Sequence, residues 1–222
     1  MSYPDLENLL STRAATFTFL SRVYREEPTD EFLGALVANA ISAQVDDAGE
    51  GNRIFNAFLR NLQAVDLEKA RLDLASEYAA LFLNASRHPV FPFESVYTSA
   101  EGLVMQRARD EVLHEYHRAG LARAEIFKEP EDHIAIEFEF MAFLCRQSLQ
   151  ALESKDQSAA LESLRWQKDF CDKHLLVWIP RFCQDLAKTT RSDFYKGIAL
   201  ITAEYLETER ETLPALIAEL TG

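Results

Sequence analysis

The chain has 222 residues, a formal net charge of −13 and only 7 glycines. That length suits one domain with a sizeable core, and the charge argues against a nucleic-acid partner and for a basic one, or for solubility alone. Three cysteines, Cys145, Cys171 and Cys183, are odd in number and include no CxxC pair, which argues against a structural zinc site and reads as reduced thiols of a cytoplasmic protein.

The start, Met1-Ser2-Tyr3-Pro4-Asp5-Leu6-Glu7, lacks the basic region and apolar core of a signal peptide, and no apolar run reaches membrane-spanning length. Leu6, Leu9, Leu10, Ala14, Phe17, Leu20 and Tyr24 recur at helical spacing and predict a first helix to about Arg25, ended by Pro28. Thr29-Asp30 caps a second helix through Phe32, Leu33, Leu36, Val37 and Ile41. Asp46-Asp47-Ala48-Gly49-Glu50-Gly51 reads as a loop. Ile54, Phe55, Phe58, Leu59 and Leu62 form a third helix, and Asp66 caps a fourth through Leu74, Tyr78, Leu81 and Phe82.

Over residues 84–98 the helical pattern stops. Pro89 and Pro92 hold this segment extended, and it is rich in rings for a loop: Phe91, Phe93 and Tyr97, beside Glu94. Those rings either plug the core or line a pocket. Thr98 and Glu101 make a capping-box pattern for a fifth helix that Gly120 ends. Next comes Glu129-Pro130-Glu131-Asp132-His133. Pro130 suits a first helical position and the acids suit the dipole, so a sixth helix is expected from Pro130 to about Leu152, with His133 and Glu137 four apart on one face.

Lys155-Asp156-Gln157-Ser158 reads as a turn, and Leu161, Leu164, Phe170 and Cys171 mark a seventh helix. Pro180 stands near the start of an eighth, and Ser192-Asp193 caps a last one, interrupted at Thr212-Leu213-Pro214. The reading is all-α: one domain over residues 1–222, a bundle of about nine to ten helices with an irregular Pro/aromatic loop in the middle.

Enzyme signatures are absent: no Gly-rich phosphate loop, no GxSxG, no HExxH. Glu111, His114 and His117 share one helix face, but a di-iron bundle needs a second ExxH on a facing helix, so a solvated polar face is the better reading and no metal is expected. Asp132, His133 and Glu137 fit either a capped helix whose His bonds a neighbouring loop, or a binding role; no nucleophile accompanies them for acid–base catalysis.

Four blocks resemble the TorD/DmsD family of redox-enzyme maturation chaperones, which includes nitrate-reductase-type relatives. They are Leu74-Ala75-Ser76-Glu77-Tyr78-Ala79-Ala80-Leu81-Phe82; Pro92-Phe93-Glu94-Ser95-Val96-Tyr97; Glu129-Pro130-Glu131-Asp132-His133, similar to an E-P-x-D-H hallmark; and His174-Leu175-x-x-Trp178-x-Pro180-x-Phe182. Asp193-Phe194-Tyr195 follows in order, so the resemblance spans roughly residues 6–210. Relatives often carry tryptophan in the first two blocks, where this chain has Tyr and Phe.

The resemblance implies an all-helical, non-enzymatic protein. Its members bind the twin-arginine signal peptide, and often the body, of a molybdopterin oxidoreductase, and hold it in the cytoplasm until its cofactor is inserted. Guanine-nucleotide binding is associated with some members, but this chain has no nucleotide motif and no cofactor is expected. A twin-arginine leader has a cationic start and an apolar centre. Carboxylates grip guanidinium groups and an aromatic groove takes an apolar segment. That assigns Tyr78, Leu81, Phe82, Phe91, Phe93, Tyr97 and Trp178 to the apolar part, and Glu94, Asp132, His133 and Glu137 to the arginines. Two other readings stay open: a nucleotide-binding or hydrolysing protein using Asp132 and His133, and a chaperone for a molybdoenzyme without a leader. Monomer and homodimer are equally open.

Overall fold

The computed structural model describes residues 3–40, 49–122 and 127–221. Among them run ten α-helices: α1 (Tyr3–Arg25), α2 (Asp30–Ala40), α3 (Glu50–Leu62), α4 (Leu67–Phe82), α5 (Glu94–Thr98), α6 (Arg107–Arg118), α7 (Ile134–Glu153), α8 (Gln157–Phe170), α9 (Leu176–Thr189) and α10 (Asp193–Thr221). A π-helical segment, Cys171–Leu175, joins α8 to α9. The described residues hold no strand, only an isolated antiparallel bridge between Phe93 and His133. The class is all-α, as expected.

The chain divides into two compact units interleaved in sequence. One comprises Met1–Arg25, Phe93–Ile179 and Leu206–Gly222; the other comprises Glu26–Pro92 and Pro180–Tyr205.

In the first unit α7 is central. Ile134, Ala135, Phe138, Phe140, Met141, Leu144, Cys145 and Leu152 are all buried, and a helix apolar on most sides must be enclosed by neighbours. Phe17 and Tyr24 of α1 set their rings 5.8 and 6.1 Å from Phe138, and Tyr116 of α6 and Phe170 of α8 stand 5.0 and 4.8 Å from Phe140. Arg13 of α1 forms a buried bidentate pair with Glu209 of α10. All three cysteines are buried and free.

In the second unit α3 lies against the first half of α10 because two glycines permit close approach. A Cβ at Gly51 would meet the Ile201 nitrogen at 2.6 Å, and one at Gly197 would meet Phe55 Cβ at 2.9 Å. Phe55 and Phe58 then pack on Phe194 at 5.8 and 5.3 Å.

Several boundaries differ from the sequence reading, each for a local reason. Within the segment expected to be non-helical, Glu94–Thr98 forms α5. Thr98 does not start the next helix: its hydroxyl donates back to the Glu94 carbonyl at 2.9 Å, closing α5. Gly102 and Met105, at φ 63 and 58, then break the chain before α6 starts at Arg107. Pro130 is not a first helical residue. The His133 N–H donates to the Pro130 carbonyl at 3.1 Å, making a turn, and α7 starts after it.

Gln157 and Ser158 are already helical, because Asp156 accepts the Ala159 N–H at 3.0 Å as the cap of α8. Pro180 stands near the start of α9, as expected, although α8 runs into that helix through the π segment. Pro214 does not interrupt α10. Leu213, Leu216 and Leu220 bury one stripe across it, and roughly 1.5–3 kcal/mol per buried leucine outweighs about 3 kcal/mol for the proline. Of the loop expected at residues 46–51, Glu50 and Gly51 begin α3; residues 46–48, like Ile41, lie outside the described residues.

Candidate functional site

The acidic turn over residues 130–133 is built onto α5. Phe93, at the N-cap of α5, has no side-chain acceptor to offer, so the first N–H groups of that helix need partners from elsewhere. Asp132 supplies both. Its carbonyl accepts the Glu94 N–H at 3.0 Å, and its Oδ2 accepts the Ser95 N–H at 2.8 Å. Asp132 is fully buried, and burial raises its carboxyl against the lowering effect of the Ser95 hydrogen bonds.

His133 caps α7, its Nδ1 accepting the Ala135 N–H at 3.1 Å. That role requires an unprotonated Nδ1. Burial, helped by the Arg25 charge, pushes His133 down to about 3, so the ring is neutral at ordinary pH. It sits edge-on to Phe93 at 5.1 Å and Phe127 at 5.5 Å. Of the two readings left open for this turn, the capped helix is present, and the neighbouring loop is tied through the backbone bridge to Phe93.

Beneath α5 lies a buried polar cluster. Glu94 Oε2 stands 3.0 Å from His174 Nδ1, and the Trp178 Nε1–H donates to Glu137 Oε2 at 3.0 Å. Burial, then repulsion from Glu94 and Asp132, lifts Glu137 well above the ordinary carboxylate range. Tyr97 covers Trp178 with ring centroids 5.5 Å apart. Arg109 of α6 reaches Glu131 at 2.6 Å, and the Tyr116 hydroxyl donates to the Glu131 carbonyl at 3.2 Å.

Of the eleven residues singled out from sequence, one unit brings together Phe93, Glu94, Tyr97, Asp132, His133, Glu137 and Trp178. The other holds Tyr78, Leu81, Phe82 and Phe91. Glu94, Asp132, His133 and Glu137 are buried, so none offers its polar group to solvent. Tyr78, Leu81 and Phe82 are core residues too: Phe82 meets Tyr78 at 5.0 Å, Tyr195 at 5.9 Å and Phe182 at 6.4 Å. The aromatic loop divides between its two readings, with Phe93 plugging a core and Phe91 exposed. Ser95, Glu131, Arg109 and His174 are the contributors that sequence reasoning left out. The His174/Trp178 spacing, four apart on one helical face, was the available signal for His174.

Glu111 and His114 line an open cleft of about 570 Å³ with Arg107, Asp110, Glu115, Lys173 and His174. No group of side chains among the described residues could hold a metal ion. Burial raises Cys145 to about 11 and Cys171 to about 12, far from nucleophilic thiolates. The arrangement fixes backbone: Asp132 holds the first turn of α5 and His133 caps α7.

Residues 47–184, more than half of the chain, match the family model described as nitrate reductase delta subunit. The chain belongs to this family. It is 26% identical over 219 residues to the chaperone protein TorD of Vibrio cholerae, covering 97% of this chain and 98% of that protein. The TorD chaperone of Photobacterium profundum is 32% identical over 128 residues, 58% of each chain. A crystal structure described as a putative redox enzyme maturation protein from Archaeoglobus fulgidus covers 91% of this chain and 93% of its own, with 21% identity and a TM-score of 0.45. All four blocks fall within the matched residues, and both the Vibrio cholerae and the Photobacterium profundum relatives are named as TorD chaperones. No helix among the described residues is long and apolar enough to cross a membrane.

Proposed function

We propose that this protein is a cytoplasmic chaperone for the catalytic subunit of a molybdopterin oxidoreductase. It binds the twin-arginine leader of that subunit, its body, or both, assists cofactor insertion and delays export. The observation that carries this reading is the near full-length alignment with a TorD chaperone. The buried acidic turn supports it through its structural work, Asp132 holding α5 and His133 capping α7.

In this reading Tyr97 offers surface to the leader in one unit and Phe91 offers surface in the other; Phe93 and Trp178 support the first, and Tyr78, Leu81 and Phe82 form core in the second. Glu94, Asp132, His133 and Glu137 act by holding α5 and the start of α7. The protein works without a bound cofactor.

The test is calorimetric titration of the purified protein with a synthetic twin-arginine leader and a twin-lysine control at two salt concentrations. Binding that prefers arginine and weakens with salt is expected. Absence of binding to any of several leaders, with capture of a mature molybdoenzyme subunit, would replace leader recognition by recognition of the folded client.

A further inference from the structure

Three carboxyl groups are buried together in one unit: Glu94 of α5, Asp132 of the acidic turn and Glu137 of α7, at 3%, 0% and 0% exposure. His174 is the basic side chain that reaches this group, its Nδ1 lying 3.0 and 3.3 Å from the two carboxyl oxygens of Glu94. Arg109 of α6 is committed to Glu131 and Asp110, and Arg25 of α1 to Glu139. Two buried oxygens of the group have no hydrogen-bond partner, Asp132 Oδ1 and Glu137 Oε1. The other oxygen of each is engaged, by the Ser95 N–H at 2.8 Å and by the Trp178 Nε1–H at 3.0 Å. A buried carboxylate with an unsatisfied oxygen is costly, and a proton on that oxygen turns it into a donor.

Burial first, then the Glu94 and Asp132 charges and the hydrogen bond available to Glu94, raise Glu137 well above the ordinary carboxylate range. Facing carboxyls relieve their repulsion by sharing one proton. Tyr116 of α6 also feels Glu137. Burial and these same acids hold its hydroxyl well above its ordinary value, so it stays protonated.

The group meets solvent through His174. That residue sits on the π-helical segment, a widened turn closed by the Leu176 N–H donating to the Cys171 carbonyl. The turn sets His174 in the wall of the open cleft, which it shares with Arg107, Asp110, Glu111, His114, Glu115 and Lys173, while its Nδ1 faces Glu94.

We propose that Glu94 and Glu137, with His174 as the counter-charge, form a proton-binding site whose occupancy holds α5 in place. Glu137 carries the proton on Oε1 and donates it to Glu94, which His174 holds from the other side. While the proton is bound, Glu94 ties the first turn of α5 to α7 and to the π segment. When it leaves, two anions face each other beneath α5, beside the buried Asp132. The helix then loosens, and Tyr97, which covers Trp178 from that helix, is released with it. Opening α5 wets Glu137 and returns it to its ordinary range. Opening therefore releases a proton, and the closed form weakens as pH rises.

The test is hydrogen exchange on the full-length protein from about pH 5.5 to about pH 8.5. Rates are corrected for the intrinsic pH dependence of amides, and protection over residues 94–106 is taken relative to α8. In the parent this relative protection should fall by roughly tenfold per pH unit while opening releases one proton. Glu137→Gln keeps a donor toward Glu94 that it cannot lose, so its relative protection should be flat with pH. Glu94→Gln removes the facing anion and should shrink the slope. A parent without a slope, or a slope unchanged in either variant, overturns the inference. Infrared spectra near pH 7 give a readout independent of stability. A protonated-carboxyl C=O band in the parent that is lost in Glu137→Gln supports the assignment; a band absent from the parent, or kept in the variant, overturns it.

Discussion

Asp132 caps a helix it does not belong to: its Oδ2 accepts the Ser95 N–H at 2.8 Å, in the first turn of α5. The Asp–His pair of the acidic turn is thereby a structural clamp as well as a motif. Asp132→Ala should cost about 1–2 kcal/mol, the usual range for losing a cap. Asp132→Asn keeps an acceptor and should recover most of it. Urea unfolding measures the cost, and amide exchange over residues 94–106 should quicken in the alanine variant alone. Equal protection in both variants would mean that α5 is held by something else.

His133 gives the fold a dependence on acid. Its folded value is about 3, against the ordinary 6.5 expected in the unfolded chain. Above pH 6.5 the ring is neutral in both states and contributes no slope. Between pH 6.5 and 3 the unfolded chain takes up a proton that the folded one refuses, so stability falls as pH falls. His133→Asn retains a capping acceptor and should remove this share of the slope. The measurement is the difference between parent and variant melting temperatures across pH 4–8.

Glu137 acts in the opposite direction. Its folded carboxyl is raised, so the folded state keeps a proton that the unfolded state has lost above about pH 4.5. Its contribution is fully present below that pH and declines as pH rises through the folded value. Glu137→Gln should therefore flatten the alkaline side of the stability profile and raise Tm at pH 8. Glu137→Ala removes the carboxyl that accepts the buried Trp178 Nε1–H and should cost about 1–3 kcal/mol. A Gln variant less stable than the parent at pH 8 would show that Glu137 is folded as the anion.

The Arg13–Glu209 pair, 2% and 1% exposed, joins α1 to the second half of α10. Arg13→Ala should destabilise by about 3–5 kcal/mol, because it leaves a carboxylate buried without its partner. The double replacement Arg13→Met, Glu209→Leu should lose far less, since both charges go together. Chemical denaturation of the three chains gives the coupling directly.

The Pro and Thr signals misled where tertiary contacts overrode them. Pro214 read as an interruption, yet α10 continues because Leu213, Leu216 and Leu220 remain buried across it. Thr98 and Glu101 spell a capping box, but Thr98 bonds backwards and ends α5. The periodic stretches behaved as read: Asp66 accepts the Glu68 N–H at 2.9 Å, and Phe32 N–H reaches Thr29 Oγ1 at 3.2 Å.

By itself the sequence determined the helical class, most helix positions, the buried thiols and the family, because periodicity, caps and motif blocks are local in the chain. It also pointed to Asp132 and His133. Only the tertiary structure decided what those side chains do. Asp132 meets Ser95 across 37 positions and Glu94 meets His174 across 80, and no local spacing encodes such pairings. Burial sets Asp132 against α5, His133 against the start of α7 and Glu137 against Trp178 of α9.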